Sequence, residues 1–445
     1  MEPAQMSDEV CDIAVIGGGP AGSTAAALLA RRGYRVIVLE KAHHPRFHIG
    51  ESLLPMNLPV FERLGVAEKV RALGVYKAGA DFEADNERGY NTYAFARAIG
   101  RSPPHAYQVF RQDFDKMLFE HARECGADAR EGHEVTAIEQ PGPRDARLDV
   151  RTDEGRSYRV RARYVVDASG RDTFLAAKRK LRRKNPRHQS AAIFGHYRGA
   201  VTRSGEDAGN ISIYQFEHGW MWMIPLPDGV MSVGAVCWPE YLKQRKGRTV
   251  DFLIETLKRN AALWQRIEHA ELIGNEVRVT GNYSYHSTRM GGPGWITVGD
   301  AFAFLDPVFS SGVYLAMSGA EQAAEVVDRA LHAPAVEKAL LRRLERRIRA
   351  GMDRLSFFIY RFNGPVMRQM FRQPRNTWKL EQSVISMLAG DVFDTPQVLR
   401  RLKLFKLVYA IQNLRVFRRA HAAHSYRMAQ ARSLFSGGTT PLDKI

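Results

Sequence analysis

Hydrophobic and polar positions follow three patterns along this chain, and each predicts a different kind of element. Short, nearly unbroken apolar runs mark strands buried on both faces. They lie at Asp12–Ile16, Val36–Glu40, Tyr164–Asp167 and Trp295–Asp300, and a short strand is also expected near Gln108–Phe110. Alternating runs mark antiparallel strands, at Val135–Gln140, Leu148–Thr152, Tyr158–Ala162, Ala191–Tyr197, Ile211–Phe216, Met221–Ile224 and Met231–Cys237. Helical spacing covers Ser23–Arg32, Asp113–Gly126 and Gly312–Leu331, then an Arg-rich stretch from about Val336 onward. The first strand, a glycine turn, a helix and the second strand make a β–α–β unit. The chain is therefore α/β, with a strand-rich middle and a helical end.

Composition narrows the function classes. Of 65 Lys and Arg, 22 fall in Val336–Ile445 beside only 7 acidic residues, so that quarter carries nearly all of the net charge of +17. Such a surface is either a set of solvated helical faces or a dock for an acidic partner. No helix-turn-helix, zinc-finger or RNP pattern accompanies it, so nucleic acid is not expected. No apolar run is long enough for a transmembrane segment, and the polar, acidic start lacks the pattern of a secretory signal. Cys11, Cys125 and Cys237 lack metal-ligand spacing and read as reduced thiols of a cytoplasmic protein.

The glycine turn Gly17-Gly18-Gly19-Pro20-Ala21-Gly22 sits between strand and helix, where a phosphate-binding loop belongs. Gly17 permits the tight turn, Gly19 lets backbone approach a pyrophosphate, and Gly22 permits close helix–strand packing. The helix start offers N–H groups and partial positive charge. Glu40, ending the second strand, is placed to accept from ribose hydroxyls. NAD and FAD both use this unit. Arg111-Gln112-Asp113, opening a helix, and Val298-Gly299-Asp300, where an acid at a strand end can hold the ribityl chain, favour FAD, and Asp167-Ala168-Ser169-Gly170 accompanies them. With the glycine loop, these segments resemble the FAD-binding, Rossmann-like fold of glutathione-reductase-type flavoproteins, among them aromatic hydroxylases, geranylgeranyl-type reductases and flavin-dependent halogenases.

That resemblance implies a discontinuous FAD-binding domain (8–185 and 275–335), an antiparallel-sheet substrate region (186–274) and a basic helical C-terminal region (336–445). It implies FAD contacts from Gly17, Gly19, Ala21, Gly22, Glu40, Lys41, Ser52, Arg111, Val135, Asp300 and Gly312. No second glycine fingerprint follows a strand, so a dedicated NAD(P)H domain is not expected and a separate flavin reductase would supply reduced FAD.

Gly219-Trp220-Met221-Trp222-Met223-Ile224-Pro225 is similar to the W-x-W-x-I-P motif of flavin-dependent halogenases. Two indoles at spacing two share a strand face, where they would wall bulky aromatics off from flavin. A pair that merely packs the sheet is the alternative. Ile49-Gly50-Glu51-Ser52-Leu53-Leu54-Pro55 resembles the family's I-G-E-S-x-x-P segment, and Lys77 lies at about the spacing of its essential lysine. A buried lysine can orient hypohalous acid or form a haloamine. Leu305–Val313 resembles the halide loop, which assigns Ser311 and Gly312 as chloride or bromide donors. Phe309 stands where tryptophan halogenases carry a glutamate, and the phenol- and pyrrole-directed branch lacks that carboxylate.

The resemblance thus implies a two-component FAD-dependent halogenase acting through a C4a-hydroperoxyflavin and a hypohalous species directed by Lys77. Its substrate would be an electron-rich phenol or other aryl compound, free or carried on an acyl carrier protein docked at arginines such as Arg342, Arg343, Arg346, Arg347, Arg418 and Arg419. A monooxygenase or reductase of the same fold predicts product without halide dependence. A carrier- or membrane-binding flavoprotein, the latter resting on Leu402–Tyr409, predicts no oxygen-coupled product.

Overall fold

The computed structural model describes residues 8–185, 189–281, 284–415 and Ser425. Its first sheet is built around the buried apolar runs. In spatial order it contains Gly291–Gly292, Trp295–Thr297, Ser157–Asp167, Asp8–Ile16, Val36–Leu39 and Asp128–Arg130. The central four strands run parallel, with Ile13 opposite Val36 on one side and Tyr164 on the other. A parallel pair needs a crossover, which the helix Pro20–Ala30 supplies. Pro20 at its first position fits there because that N–H would be unpaired in any case.

One expectation is corrected. Tyr158–Ala162 and Tyr164–Asp167 read as two strands but form one, Ser157–Asp167. Its first half also pairs antiparallel with Asp145–Thr152, leaving one face open, while its second half is buried on both faces. The change of environment alters the hydrophobic pattern mid-strand and imitates a break.

The second sheet runs Glu271–Leu272, Ala191–Arg198, Val230–Cys237, Gly219–Pro225, Ile211–Phe216, Gly79–Glu83 and Tyr90–Ala94. Two of its strands thus come from residues 79–94, whose polar, glycine-containing sequence carries little strand signal. Every residue of Gly219–Pro225 is buried. Period-two alternation sends Met221 and Met223 toward a core with Phe252, Leu253 and Leu257 of the helix Thr249–Lys258. It sends Trp220, Trp222 and Ile224 the other way, into the large core shared with the parallel sheet.

Helices Glu337–Ile359, Pro365–Arg372, Leu380–Leu388 and Pro396–Arg415 close the molecule. Leu402 and Phe405 are buried in the large core, so Leu402–Tyr409 is a core-covering helical stretch. Arg342, Arg343, Arg346 and Arg347 are exposed, whereas Arg418 and Arg419 lie outside the described residues. Cys11, Cys125 and Cys237 are free thiols. Among the described residues no helix is long and apolar enough to cross a membrane.

Candidate functional site

A cavity of about 870 Å³ lies between the two sheets, beyond the ends of the parallel strands. That is where open α/β sheets bind ligands. One end is formed by the glycine turn. Gly17 has φ +96°, and a Cβ there would stand 2.5 Å from the Ala168 carbonyl oxygen. A Cβ on Gly22 would lie 1.9 Å from the Gly17 carbonyl oxygen, so helix and turn could not keep their present distance. A Cβ on Gly19 would meet only the Arg46 guanidinium at 3.7 Å, so its backbone is open to a ligand. Arg46 Nε is buried without a hydrogen-bond partner among the described residues. The other guanidinium nitrogens lie 3.5 Å from Glu40 and 3.8 Å from Asp115, and an open backbone beside this cation fits a pyrophosphate.

The acidic end of the second strand helps hold the turn. Glu40 accepts from the Gly18 N–H at 2.7 Å and the Ala42 N–H at 3.0 Å. Its carboxylate lines the cavity. Lys41 reaches Asp172 at 2.5 Å, and both residues line the cavity. Val135 lines the same space, and Ala21 borders it from the first helical turn. Arg111 opens the helix Arg111–Glu124 and makes two bonds to Asp115, at 2.8 and 3.0 Å. Burial alone would raise the Asp115 carboxyl, but the Arg111 guanidinium outweighs it and holds the group below the usual range. Among the described residues Asp300 has no such ion pair. Burial pushes its carboxyl up to about 6, despite Arg171 and Arg111 nearby.

At the other end the indoles of Trp220 and Trp222 form a wall, their ring centroids 5.7 Å apart and their planes tilted by 46°. Each ring N–H is anchored. Trp220 donates to Asp306 at 3.2 Å, and Trp222 donates to Ser232 at 3.2 Å. Asp306 also accepts from Ser190 at 3.0 Å and from the Val308 N–H at 3.2 Å, so one carboxylate ties the wall to the loop before Gly312–His332. Sequence reasoning missed Asp306. An Asp-Pro pair at a loop start was its only local signal, since its partners are remote.

In that loop Ser310 adopts φ +54°, and the cavity touches Ser310 and Gly312. Ser311 is buried at the helix start and does not line the cavity. Phe309 turns away into an aromatic cluster, parallel to Phe371 at 6.2 Å and edge-on to Phe362 at 5.6 Å.

Lys77 is 1% exposed and also stands back from the cavity. Its Nζ donates to Ser52 Oγ at 2.8 Å and to the Leu53 carbonyl at 2.9 Å. Ser52 does line the cavity and separates Lys77 from it. Among the described residues no carboxylate partners the amine, and burial pushes it down to about 7. Further wall residues that the sequence did not single out are Arg46, His48, Glu51 and Arg171. Arg46, His48 and Glu51 sit in loops and Arg171 in the single 3-10 turn Gly170–Asp172, where no periodicity marks an inward-facing side chain.

Comparisons with known proteins agree with this geometry. Residues 10–355 match the FAD binding domain family. The tryptophan 2-halogenase of Chondromyces crocatus is 36% identical over 71% of this chain, and the chain spans 60% of that protein's length. The 1H-pyrrole-2-carbonyl-[peptidyl-carrier protein] chlorinase of Pseudomonas fluorescens is 29% identical over 92% of this chain and 95% of the relative. Among solved structures, a flavoprotein/dehydrogenase from Cytophaga hutchinsonii superposes with a TM-score of 0.82 at 26% identity, covering 91% of this chain and 99% of that one. The myxobacterial chondrochloren halogenase superposes with a TM-score of 0.73 at 31% identity, covering 88% of this chain and 99% of that one. A glycine cradle for FAD, an anchored tryptophan wall and this degree of likeness place the chain in the family of FAD-dependent halogenases.

Proposed function

We propose that this chain is a two-component halogenase that installs chloride or bromide on an electron-rich aromatic compound. The observation that carries the reading is Lys77: a lysine with no acidic partner, buried behind the cavity and bonded to a serine of its wall. Sequestering an ammonium in an apolar interior costs several kcal/mol. A protein that needed only packing would be better served by methionine.

FAD would be held by the glycine turn, with Glu40, Arg46 and Asp300, which line the same cavity, around it. When bound in reduced form, it supplies the electrons by which oxygen converts halide into an electrophile. The rest falls to the protein. Arg46 offers positive charge beside Gly19, where a pyrophosphate would lie. Gly312, at the start of the helix Gly312–His332 and on the cavity wall, offers the positive end of that helix to an anion. The Trp220/Trp222 wall keeps a bulky arene from the flavin side and excludes water from it. Lys77, half protonated near neutral pH, donates through Nζ to Ser52 Oγ, and the Ser52 hydroxyl on the cavity wall donates in turn to a hypohalous oxygen and so makes the halogen more electrophilic.

Phe309 supports a phenol or pyrrole over free tryptophan. With no carboxylate at that position in the loop, the substrate must supply its own electron density. The chlorinase relative acts on a pyrrole carried by a peptidyl carrier protein. The exposed Arg342, Arg343 and Arg346 form a basic surface suited to an acidic carrier. A flavin reductase is the implied second component, and a cytoplasmic setting fits the free thiols.

The likeness to a dehydrogenase favours a second reading, an oxidoreductase without halide. Mass spectrometry separates the two. The protein is given FAD, a flavin reductase, oxygen and chloride or bromide, with phenols, pyrroles, tryptophan and carrier-bound aryl groups. Halogen isotope pairs that vanish in Lys77→Ala are expected. Oxidised or hydroxylated product indifferent to halide would overturn the proposal.

A further inference from the structure

The conversion proposed above consumes protons at the cavity wall. Reduced flavin anion, oxygen, halide, arene and two protons yield oxidised flavin, haloarene and two waters. The two electrons of the flavin and the two of the halide together reduce oxygen to water. These protons need a path from solvent.

One buried pair has the required arrangement. Glu51 lines the cavity, yet its side chain is only 3% exposed. Its Oε1 meets His196 Nε2 at 2.6 Å. The His196 side chain is 22% exposed and does not line the cavity, so the ring reaches solvent without passing through the cavity wall. The ring is held between Phe47 and Phe110, with centroids 6.0 and 5.9 Å away. It lies opposite Ser232 on the neighbouring strand, the residue that anchors Trp222. Phe47 is in turn covered by the Arg278 guanidinium at 3.5 Å.

The charged and titratable groups around the pair are few. Arg111 holds the Ile49 carbonyl at 2.7 Å, just before Glu51 in the chain. Arg278 is neutralised by Glu276 at 2.7 Å. His48, the other imidazole beside this segment, is pushed down to about 4 by burial and by Arg111. It stays neutral in the working range and cannot supply protons there.

Resting on the halogenase reading, we propose that Glu51 and His196 form the proton entry of the cavity. His196 accepts a proton from solvent at Nδ1, its Nε2–H passes one to the Glu51 carboxylate, and Glu51 releases one into the cavity. Ring tautomer exchange resets the pair. Each proton that leaves is replaced by one that enters, so charge balances over the cycle. Glu51 touches the reaction space, while His196 acts through it as a positioning residue.

The test uses the full chain loaded with FAD, in wild-type, Glu51→Gln, His196→Ala and His196→Gln forms. FAD affinity, read by fluorescence, is expected to be unchanged. Bound FAD is reduced without oxygen, then mixed with oxygenated buffer, and the return of oxidised flavin is followed. At about pH 8 the variants are expected to slow by at least about tenfold. The deficit should shrink toward about pH 6, and added imidazole should restore His196→Ala. Diethyl pyrocarbonate should modify His196 with FAD bound, as read by peptide mass spectrometry. An unchanged rate and pH profile, slowing without imidazole rescue, or protection of His196 from the reagent would each overturn the proposal. Flavin reoxidation needs protons whether or not halogen is transferred. Normal proton entry without halogenated product would therefore sink the halogenase reading alone.

Discussion

Replacing Lys77 with methionine should make the protein more stable at neutral pH, and the gain should disappear in base. Burial lowers the Lys77 amine from 10.5 to about 7. At about 1.4 kcal/mol per unit, this depression corresponds to about 5 kcal/mol against folding when the unfolded lysine is fully charged. Between pH 7 and 10.5 the unfolded chain binds a proton that the folded one releases, so stability rises with pH across that window. About 2 kcal/mol of the rise falls between about pH 7 and 9. Lys77→Met removes the charge and keeps the chain length, but it loses the bonds to Ser52 and Leu53. Those losses cost about 1 kcal/mol each. The variant should therefore exceed wild type by about 2 kcal/mol near pH 7 and match it near pH 9. Urea unfolding of both proteins at the two pH values, followed by tryptophan fluorescence, measures the gap. A gap that does not change with pH would refute the desolvated lysine and the catalytic role built on it.

Other perturbations test other parts of the site. Gly22→Ala forces a Cβ to within 1.9 Å of the Gly17 oxygen; it should abolish FAD retention on gel filtration, and a variant that keeps FAD would show that the turn can open. Phe309→Ala removes a 3%-exposed ring from the aromatic cluster and should lower stability by about 3–5 kcal/mol in denaturant titration. A loss below about 1 kcal/mol would mean that the cluster collapses around the gap. If Asp300 accepts from FAD, affinity should rise as pH passes upward through about 6 and its carboxyl ionises, and Asp300→Asn should lose that step in a fluorescence titration. If Lys77 acts as an ammonium donor, halogenation should fall as pH rises through about 7; a rise there would identify the neutral amine as the reacting form.

Much of the fold was legible because each local pattern had one consistent solution. Asp12–Ile16 and Val36–Glu40 were apolar on both faces and could only be buried strands. Gly17, Gly19 and Gly22 stood between strand and helix at the phosphate-loop spacing. Gly79–Glu83 and Tyr90–Ala94 were not legible, because their strand character comes from pairing with Ile211–Phe216 and with each other. Asp306 and the Glu51–His196 pair were not legible either. The pair members are 145 positions apart in the chain, and no local preference records such a contact.

The sequence by itself determined the β–α–β unit, the nucleotide loop and the shared face of Trp220 and Trp222, since periodicity and glycine chemistry are local properties, while Lys77 became a candidate through its resemblance to the family's lysine. Only the tertiary structure decided that Lys77 stands behind Ser52, that Ser311 is withdrawn while Ser310 and Gly312 face the cavity, and that Asp306 anchors the tryptophan wall. Those outcomes depend on which distant segments meet and on how far burial removes a charge from water. Both are set by the packing of the whole chain.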